Sequence, residues 1–251
     1  MTHLQNKVAL ITGVSSPREI GTAICRKLAS QGIDIFFTHW NSEASWPEDF
    51  REEILKLGVR CDSLEIDLSD ANAAFKIMDT VSKQLGPLSI LVNNAAYSTG
   101  DGYAKLDAHI LDNHYAVNMR STFLLCTEFA RRFETSNIGA GRIINMTSGQ
   151  ELGPMPMELA YAATKGAIVA FTKSLSAELA PLGITVNAVN PGPTDSTWMT
   201  DEIRKYLLPK FLMGRIGMVE DAAHIVAFLA SDDAKWITGQ VINSEGGFLR
   251  S

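Results

Sequence analysis

The chain of 251 residues is poor in cysteine and histidine and has no long apolar run. Each shortage removes a class of function. Its three cysteines, Cys25, Cys61 and Cys126, lie far apart with no paired spacing. That argues against a disulfide framework and a cysteine zinc cluster, and leaves each as a small buried residue. The five histidines, His3, His39, His109, His114 and His224, include no His-x-x-x-His pair, so no metal site is expected. Lys and Arg number 22 against 28 Asp and Glu, a formal net charge of −6. A general attraction to nucleic acid or anionic membrane is therefore not expected. No apolar stretch approaches the roughly 20 residues that a membrane helix needs. Met1 to Lys7 is polar, leads straight into a strand and carries no signal-peptide pattern, so the expected location is the cytoplasm.

What is present is a chain that is 46% hydrophobic, with apolar runs that alternate with helical patterns. The runs Val8–Thr12, Ile33–Thr38, Arg60–Ile66, Leu88–Val92, Arg142–Met146, Gly183–Val189 and Gly239–Asn243 read as buried strands. Helical patterns cover Phe50–Leu57, Asp70–Leu85, Leu106–Phe133, Met157–Ala180 and Val219–Ser231. The alternation predicts an α/β fold, a doubly wound parallel sheet with helices on both faces. There is no internal repeat and no linker, so 1–251 is expected to be a single domain.

Two stretches carry chemistry. The first runs from Ser148 to Lys165. Tyr161 and Lys165 are four apart, which puts them on one face of a helix about a turn from each other. A phenol has a pKa of about 10, and lowering it to about 7 takes roughly 4 kcal/mol of differential stabilisation. A nearby ammonium favours the phenolate, and a second positive centre such as an oxidised nicotinamide would complete the shift. Ser148 stands thirteen residues before Tyr161, at the C-terminal end of an apolar strand, where open α/β sheets hold their ligands. Taken alone, Tyr161 is also readable as a half-buried helix tyrosine and Lys165 as a solvated lysine.

The second stretch is Thr12 to Gly21, a glycine loop between the first strand and a helix that shows Ile24, Leu28 and Ala29 on one face. Backbone N–H groups in such a loop, with the positive end of the helix, cradle a pyrophosphate. Gly13, Ser15, Ser16, Arg18, Ile20 and Gly21 are the candidates here. At the end of the second strand Thr38 is followed by His39, Trp40 and Asn41, with no acid to bond an adenosine ribose or repel a 2′-phosphate. Arg18 in the loop is within reach of such a phosphate or is a solvated loop charge. Both features favour NADP(H) over NAD(H), with NAD(H) as the alternative cofactor.

These constellations resemble the short-chain dehydrogenase/reductase family across essentially the whole chain, and among its members the 3-oxoacyl-[acyl-carrier-protein] reductases. The resemblance implies a Rossmann-type fold. It implies that Tyr161 is the general acid/base, that Lys165 lowers its pKa and holds the ribose, and that Ser148 binds the substrate oxygen. Asn118 corresponds to the asparagine that holds a proton-relaying water. Asp67 and Leu68 are implied to border the adenine, and Asn94 and Ala95, in Asn93-Asn94-Ala95-Ala96, to pass the cofactor. Pro191, Gly192, Thr194 and Ser196 are implied to close the nicotinamide end. The apolar residues from about 194 to 215 read as a substrate lid or as the plain packing of a short helix. Four departures stand out. The middle glycine of the Thr-Gly-x-x-x-Gly-x-Gly pattern is missing, with Pro17-Arg18-Glu19 reading as three extra residues. Thr164 stands where Ser is usual, Ala96 where Gly is usual, and Glu245 where Asp is commoner.

The expected activity is hydride transfer between nicotinamide and a carbonyl or alcohol carbon, with a 3-oxoacyl thioester or similar ketone as substrate. The alternatives are enoyl-thioester reduction, suggested by the lengthened loop, and a non-catalytic dinucleotide-binding protein. The partners implied are a small-molecule carbonyl or alcohol and further copies of the chain, a homotetramer in the family.

Overall fold

The computed structural model describes residues 7–250. Met1–Asn6, with His3 and most of the polar leader, and Ser251 lie outside the described residues. Seven parallel strands form one sheet: β1 (Val8–Ile11), β2 (Asp34–His39), β3 (Cys61–Glu65), β4 (Ile90–Asn93), β5 (Gly141–Met146), β6 (Ile184–Asn190) and β9 (Val241–Asn243). Their order is β3-β2-β1-β4-β5-β6-β9. Each strand falls within two residues of its expected ends; for the five inner strands the reason is that a central parallel strand is apolar on both faces and reads as an uninterrupted run.

The period-two alternation of the strands divides the core. Ala9, Ile11, Ile35 and Phe37 face one side, against α1 (Ile20–Ala29), α2 (Trp46–Leu55) and α8 (Val219–Ala230). Val8, Leu10, Phe36, Leu91 and Ile143 face the other, against α3 (Ala73–Gln84), α5 (Ser121–Glu134) and α6 (Leu159–Leu179). The chain leaves β1 toward β2 and leaves β4 toward β5, in opposite directions. The crevice at that reversal, beyond the C-terminal ends of β1 and β4, is where doubly wound sheets take ligands.

Several local readings change. Asn41 to Asp49 reads in the sequence as a long polar loop, yet Trp46 and Pro47 open α2, with Pro in the first turn, where its missing N–H costs nothing. Trp46 stacks on Phe50 with ring centroids 4.9 Å apart. The long helix expected over Leu106–Phe133 is three pieces: α4 (Ala108–His114), a π-helical turn at Tyr115–Arg120, and α5. Asn118 lies in the π turn, a feature that clusters at functional sites. Neither Asp67 nor Ser69 caps α3. The Asp67 carboxylate accepts from the Ser69 N–H at 2.8 Å and turns the chain before the helix begins.

Residues 194–215 begin with β7 (Thr194–Asp195), which pairs with β8 (Gly217–Met218) in a separate two-stranded sheet that the sequence did not suggest. The helix α7 (Asp201–Leu207) follows. Met199, Phe211 and Ile216 make a small cluster of their own, against Phe248 from the C-terminal tail. Leu212 and Met213 remain about three-quarters exposed.

Candidate active site

The end of β1 is tied to the end of β4 by side chains the sequence places there. The Thr12 hydroxyl accepts from the N–H groups of Asn94 and Ala95, both at 3.0 Å. The Asn94 amide donates to the carbonyls of Thr12 and Gly13, both at 2.9 Å. This brings the two backbones so close that a Cβ on Gly13 would lie 2.6 Å from the Cα of Ala95. Gly13 also has a φ of +72°, which a side chain disfavours. A Cβ on Gly21 would meet the Gly13 carbonyl at 2.6 Å. The two glycines therefore keep a cradle open at the start of α1, whose first turn has no acidic residue.

The loop between them is occupied in an unexpected way. Gly13 and Gly21 are eight positions apart where the pattern has six. The loop is thus longer by two residues rather than three, and Glu19 stands at the missing glycine. Its carboxylate accepts from the N–H groups of Ser15 (2.8 Å) and Ser16 (3.2 Å). Those two amides, expected to face a phosphate, are held by Glu19 instead, because the lengthened loop folds its own carboxylate back onto them.

Beyond the cradle lies a cleft of about 570 Å³ lined by Gly13, Ser15, Ile20, Thr38, Asp67, Leu68, Asn94, Ala95 and Ser196, together with Glu19, His39 and Trp40. Ser16, Arg18 and Gly21 stand outside its lining, as do Pro191, Gly192 and Thr194. Arg18 is turned across the mouth: its guanidinium meets the Asp195 carboxylate at 3.2 Å and is 63% exposed. Asp195 also takes a bidentate contact from Arg204 of α7 at 2.8 and 3.0 Å. These bonds, Arg204 foremost, hold the Asp195 carboxyl below its ordinary range.

Ser148, Tyr161 and Lys165 come together beside the end of β5. Ser148 has an extended backbone, two residues past that strand, and its hydroxyl is near enough to the Tyr161 phenol to lower its pKa. Lys165 is 2% exposed. Its Nζ donates to the Met146 carbonyl at 2.8 Å and lies 5.5 Å from the centre of the Tyr161 ring. The electrostatics differ from expectation. Burial pushes the Tyr161 phenol up to about 12, Ser148 pulls it down, and the Glu158 charge pushes it further up. Burial brings the Lys165 ammonium down to about 8. Desolvation outweighs the attraction expected from the lysine, whose charge is itself disfavoured in the same dry surroundings.

Asn118 is fully buried. Its side chain accepts from the Tyr97 N–H at 2.6 Å and donates to the Tyr97 carbonyl at 2.8 Å. It also donates to the Thr164 hydroxyl, which in turn donates to the Tyr161 carbonyl at 2.8 Å. The asparagine thus pins the loop after β4 and is linked through Thr164 to α6. In the loop after β6 the Asn190 amide donates to Glu245, and the Gly192 N–H donates to Asn190 Oδ1. Gly192 has a φ of +65°, with the Glu245 side chain against it.

Sequence reasoning missed Asp101, in Gly100-Asp101-Gly102. Asp101 is fully buried, and its carboxylate accepts from the N–H groups of Gly102, of Leu159 at 2.8 Å and of Ala160 at 2.7 Å. Burial alone would raise its pKa, but the three N–H donors and His114 hold it below the ordinary carboxylate range. It also missed Glu158, whose carboxylate accepts from the Ser98 hydroxyl at 2.8 Å and whose charge acts on Tyr161.

A family model described as Enoyl-(Acyl carrier protein) reductase matches residues 13–249. A mutant of a Serratia marcescens short-chain dehydrogenase/reductase is 36% identical, superposes with a TM-score of 0.89, and is covered to 98%, as is this chain. The chain belongs to the short-chain dehydrogenase/reductase family. Within it, the chain is 72% identical over the full length of both to "Uncharacterized oxidoreductase YjdA" of Bacillus subtilis. It is 35% identical, over 98% of both chains, to the 3-oxoacyl-[acyl-carrier-protein] reductase FabG of Aquifex aeolicus. A Burkholderia cenocepacia short-chain dehydrogenase in complex with NADP is 32% identical with a TM-score of 0.89, covering 97% of this chain and 98% of that one.

Proposed function

We propose that this oxidoreductase reduces the ketone of a 3-oxoacyl thioester or a similar carbonyl compound with NADPH. The observation that carries the reading is Lys165, buried with its Nζ 5.5 Å from the centre of the Tyr161 ring, with the Ser148 hydroxyl near enough to the phenol to lower its pKa. The Gly13–Gly21 cradle and the adjoining cleft suit a dinucleotide, which when bound supplies the hydride. Ser148 orients the substrate oxygen. The Tyr161 phenol, kept protonated by burial, donates its proton to that oxygen as negative charge develops there. This suits reduction better than oxidation, which needs a phenolate. Lys165 holds a positive centre within reach of the phenol oxygen and the ribose, and Asn118 keeps the loop after β4 in register with α6.

The absence of a carboxylate at the end of β2, where Thr38, His39 and Trp40 line the cleft, supports NADP(H) over NAD(H). Arg18 makes a single exposed contact with Asp195, and such a pair is worth about 0–1 kcal/mol. A 2′-phosphate therefore competes for Arg18 at little cost. Arg18→Ala is expected to raise the Kd for NADPH on the order of tenfold, and for NADH less than twofold, through loss of one charge-assisted contact. Titration of both cofactors by fluorescence checks this, and an equal change for the two refutes it.

Residues 194–215 are proposed as the substrate lid, supported by the exposed Trp198, Leu212 and Met213. A homotetramer in the cytoplasm is the proposed assembly. It is supported by Gly166 on α6, where an added Cβ would meet nothing within 4 Å, so the chain's own packing does not demand a small residue there. Enoyl reduction is disfavoured by the spacing of four between Tyr161 and Lys165. The deciding assay follows nicotinamide absorbance with acetoacetyl and crotonyl thioesters, simple ketones, sugars and steroids. NADPH oxidation with the acetoacetyl thioester is expected. Turnover of the crotonyl thioester alone, or of no carbonyl compound with either cofactor, overturns the reading.

A further inference from the structure

Tyr161 stands in the first turn of α6, which starts at Leu159. A first turn leaves N–H groups without partners inside the helix and frays unless something caps them. The residue in the capping position, Glu158, makes no side-chain cap bond, and its carboxylate is engaged with Ser98. The cap comes instead from the loop that follows β4, where the two oxygens of Asp101 take the N–H groups of Leu159 and Ala160. The Asp101 N–H in turn donates to the Met157 carbonyl at 2.9 Å. Met157 is one of two non-glycine residues with positive φ among the described residues, at +66°. The chain therefore enters α6 along a strained path that Asp101 grips from both sides. Asn118 holds the same loop at Tyr97.

We infer that Asp101 is a positioning residue for the proton-transferring tyrosine: its carboxylate fixes the first turn of α6, and so the Tyr161 oxygen, against the loop that follows β4. The inference rests on the proposed role of Tyr161. Asp101 touches neither substrate nor cofactor, and it acts through the placement of the phenol. An error of about 1 Å in such a group costs on the order of 100-fold in rate.

The test measures kcat, KM for the carbonyl substrate, the NADPH Kd and Tm for the wild-type protein, Asp101→Ala, Asp101→Asn and Tyr161→Phe. Asp101→Ala is expected to lower kcat by about 30-fold, a partial misplacement of the phenol, with the NADPH Kd within about twofold. Asp101→Asn keeps one acceptor oxygen and turns an NH₂ toward the second N–H, so its kcat is expected to fall between the two, with the Kd unchanged. Should Asp101→Ala not fold, the Asn variant decides alone: a reduced kcat at unchanged Kd supports the inference. Wild-type kcat in either variant overturns it, as does a loss of NADPH affinity as large as the loss of kcat. A kcat of Tyr161→Phe within tenfold of wild type refutes the acid/base reading itself. An inactive Tyr161→Phe beside a fully active Asp101→Ala refutes the positioning role alone.

Discussion

Tyr161→Phe is expected to lower kcat by about 1,000-fold, within the range of roughly 10²–10⁴ that a positioned acid contributes, and to leave the NADPH Kd within twofold. The substitution removes one oxygen and keeps the ring against Lys165, whose Nζ lies 5.5 Å from the ring centre. The Met146 carbonyl still accepts from Lys165, so the lysine keeps its place. Ser148 stays just past the end of β5, so the substrate oxygen is expected still to bind and only the proton donor is gone. Stability is expected to hold or rise, because the phenol is desolvated in the wild type. Steady-state kinetics beside a cofactor titration give the answer. A kcat within tenfold of wild type means that another group delivers the proton.

The second large effect concerns the cradle. Gly13→Ala is expected to weaken NADPH binding by at least about tenfold, more than 1.4 kcal/mol, and to lower Tm by several degrees. Two costs add. A left-handed backbone with a Cβ costs about 1–2 kcal/mol, and the new methyl would lie 2.6 Å from the Ala95 Cα. That neighbour is backbone and cannot swing aside. The loop must lift, and lifting it breaks the bonds between Thr12 and Asn94 that join the ends of β1 and β4. For a chain of 150–250 residues each kcal/mol is worth about 2–4 °C in Tm. Gly58→Ala is the control: its φ is +83° but nothing lies within 4 Å of the added carbon, so only the backbone cost applies and NADPH binding is unchanged. Equal NADPH affinity for wild type and Gly13→Ala would remove the cradle from the cofactor site.

What was legible in advance was whatever depends on local pattern. The five inner strands of the main sheet announce themselves because both faces of a central parallel strand are buried. Tyr161 and Lys165 announce themselves because four residues make one helical turn. Trp46 was misjudged because its loop reads as polar, while its ring is fixed by Phe50 and its indole N–H by the Val14 carbonyl at 3.4 Å. The π turn at Asn118 was invisible for a similar reason: the bonds of that side chain run to Tyr97 and Thr164, far off in sequence. Asp101 was passed over because a helix cap is recognisable only when it adjoins its helix, and this one lies fifty-eight residues ahead of Leu159.

The amino-acid order alone determined the class of fold, the position of the glycine loop and the placing of Tyr161 and Lys165 on one face of a helix, since these follow from side-chain type and from spacings of two and about four residues. Tertiary structure decided the electrostatic state of that trio, because desolvation depends on what surrounds a group in space. It also decided that Glu19 covers two loop amides, that Arg18 spans the cleft mouth to Asp195, and that a buried carboxylate from a distant loop caps the helix bearing the tyrosine. The Arg18 and Asp101 contacts join segments far apart along the chain, which only the folded backbone brings within a hydrogen bond, while Glu19 reaches amides three and four residues away through the turn of the lengthened loop.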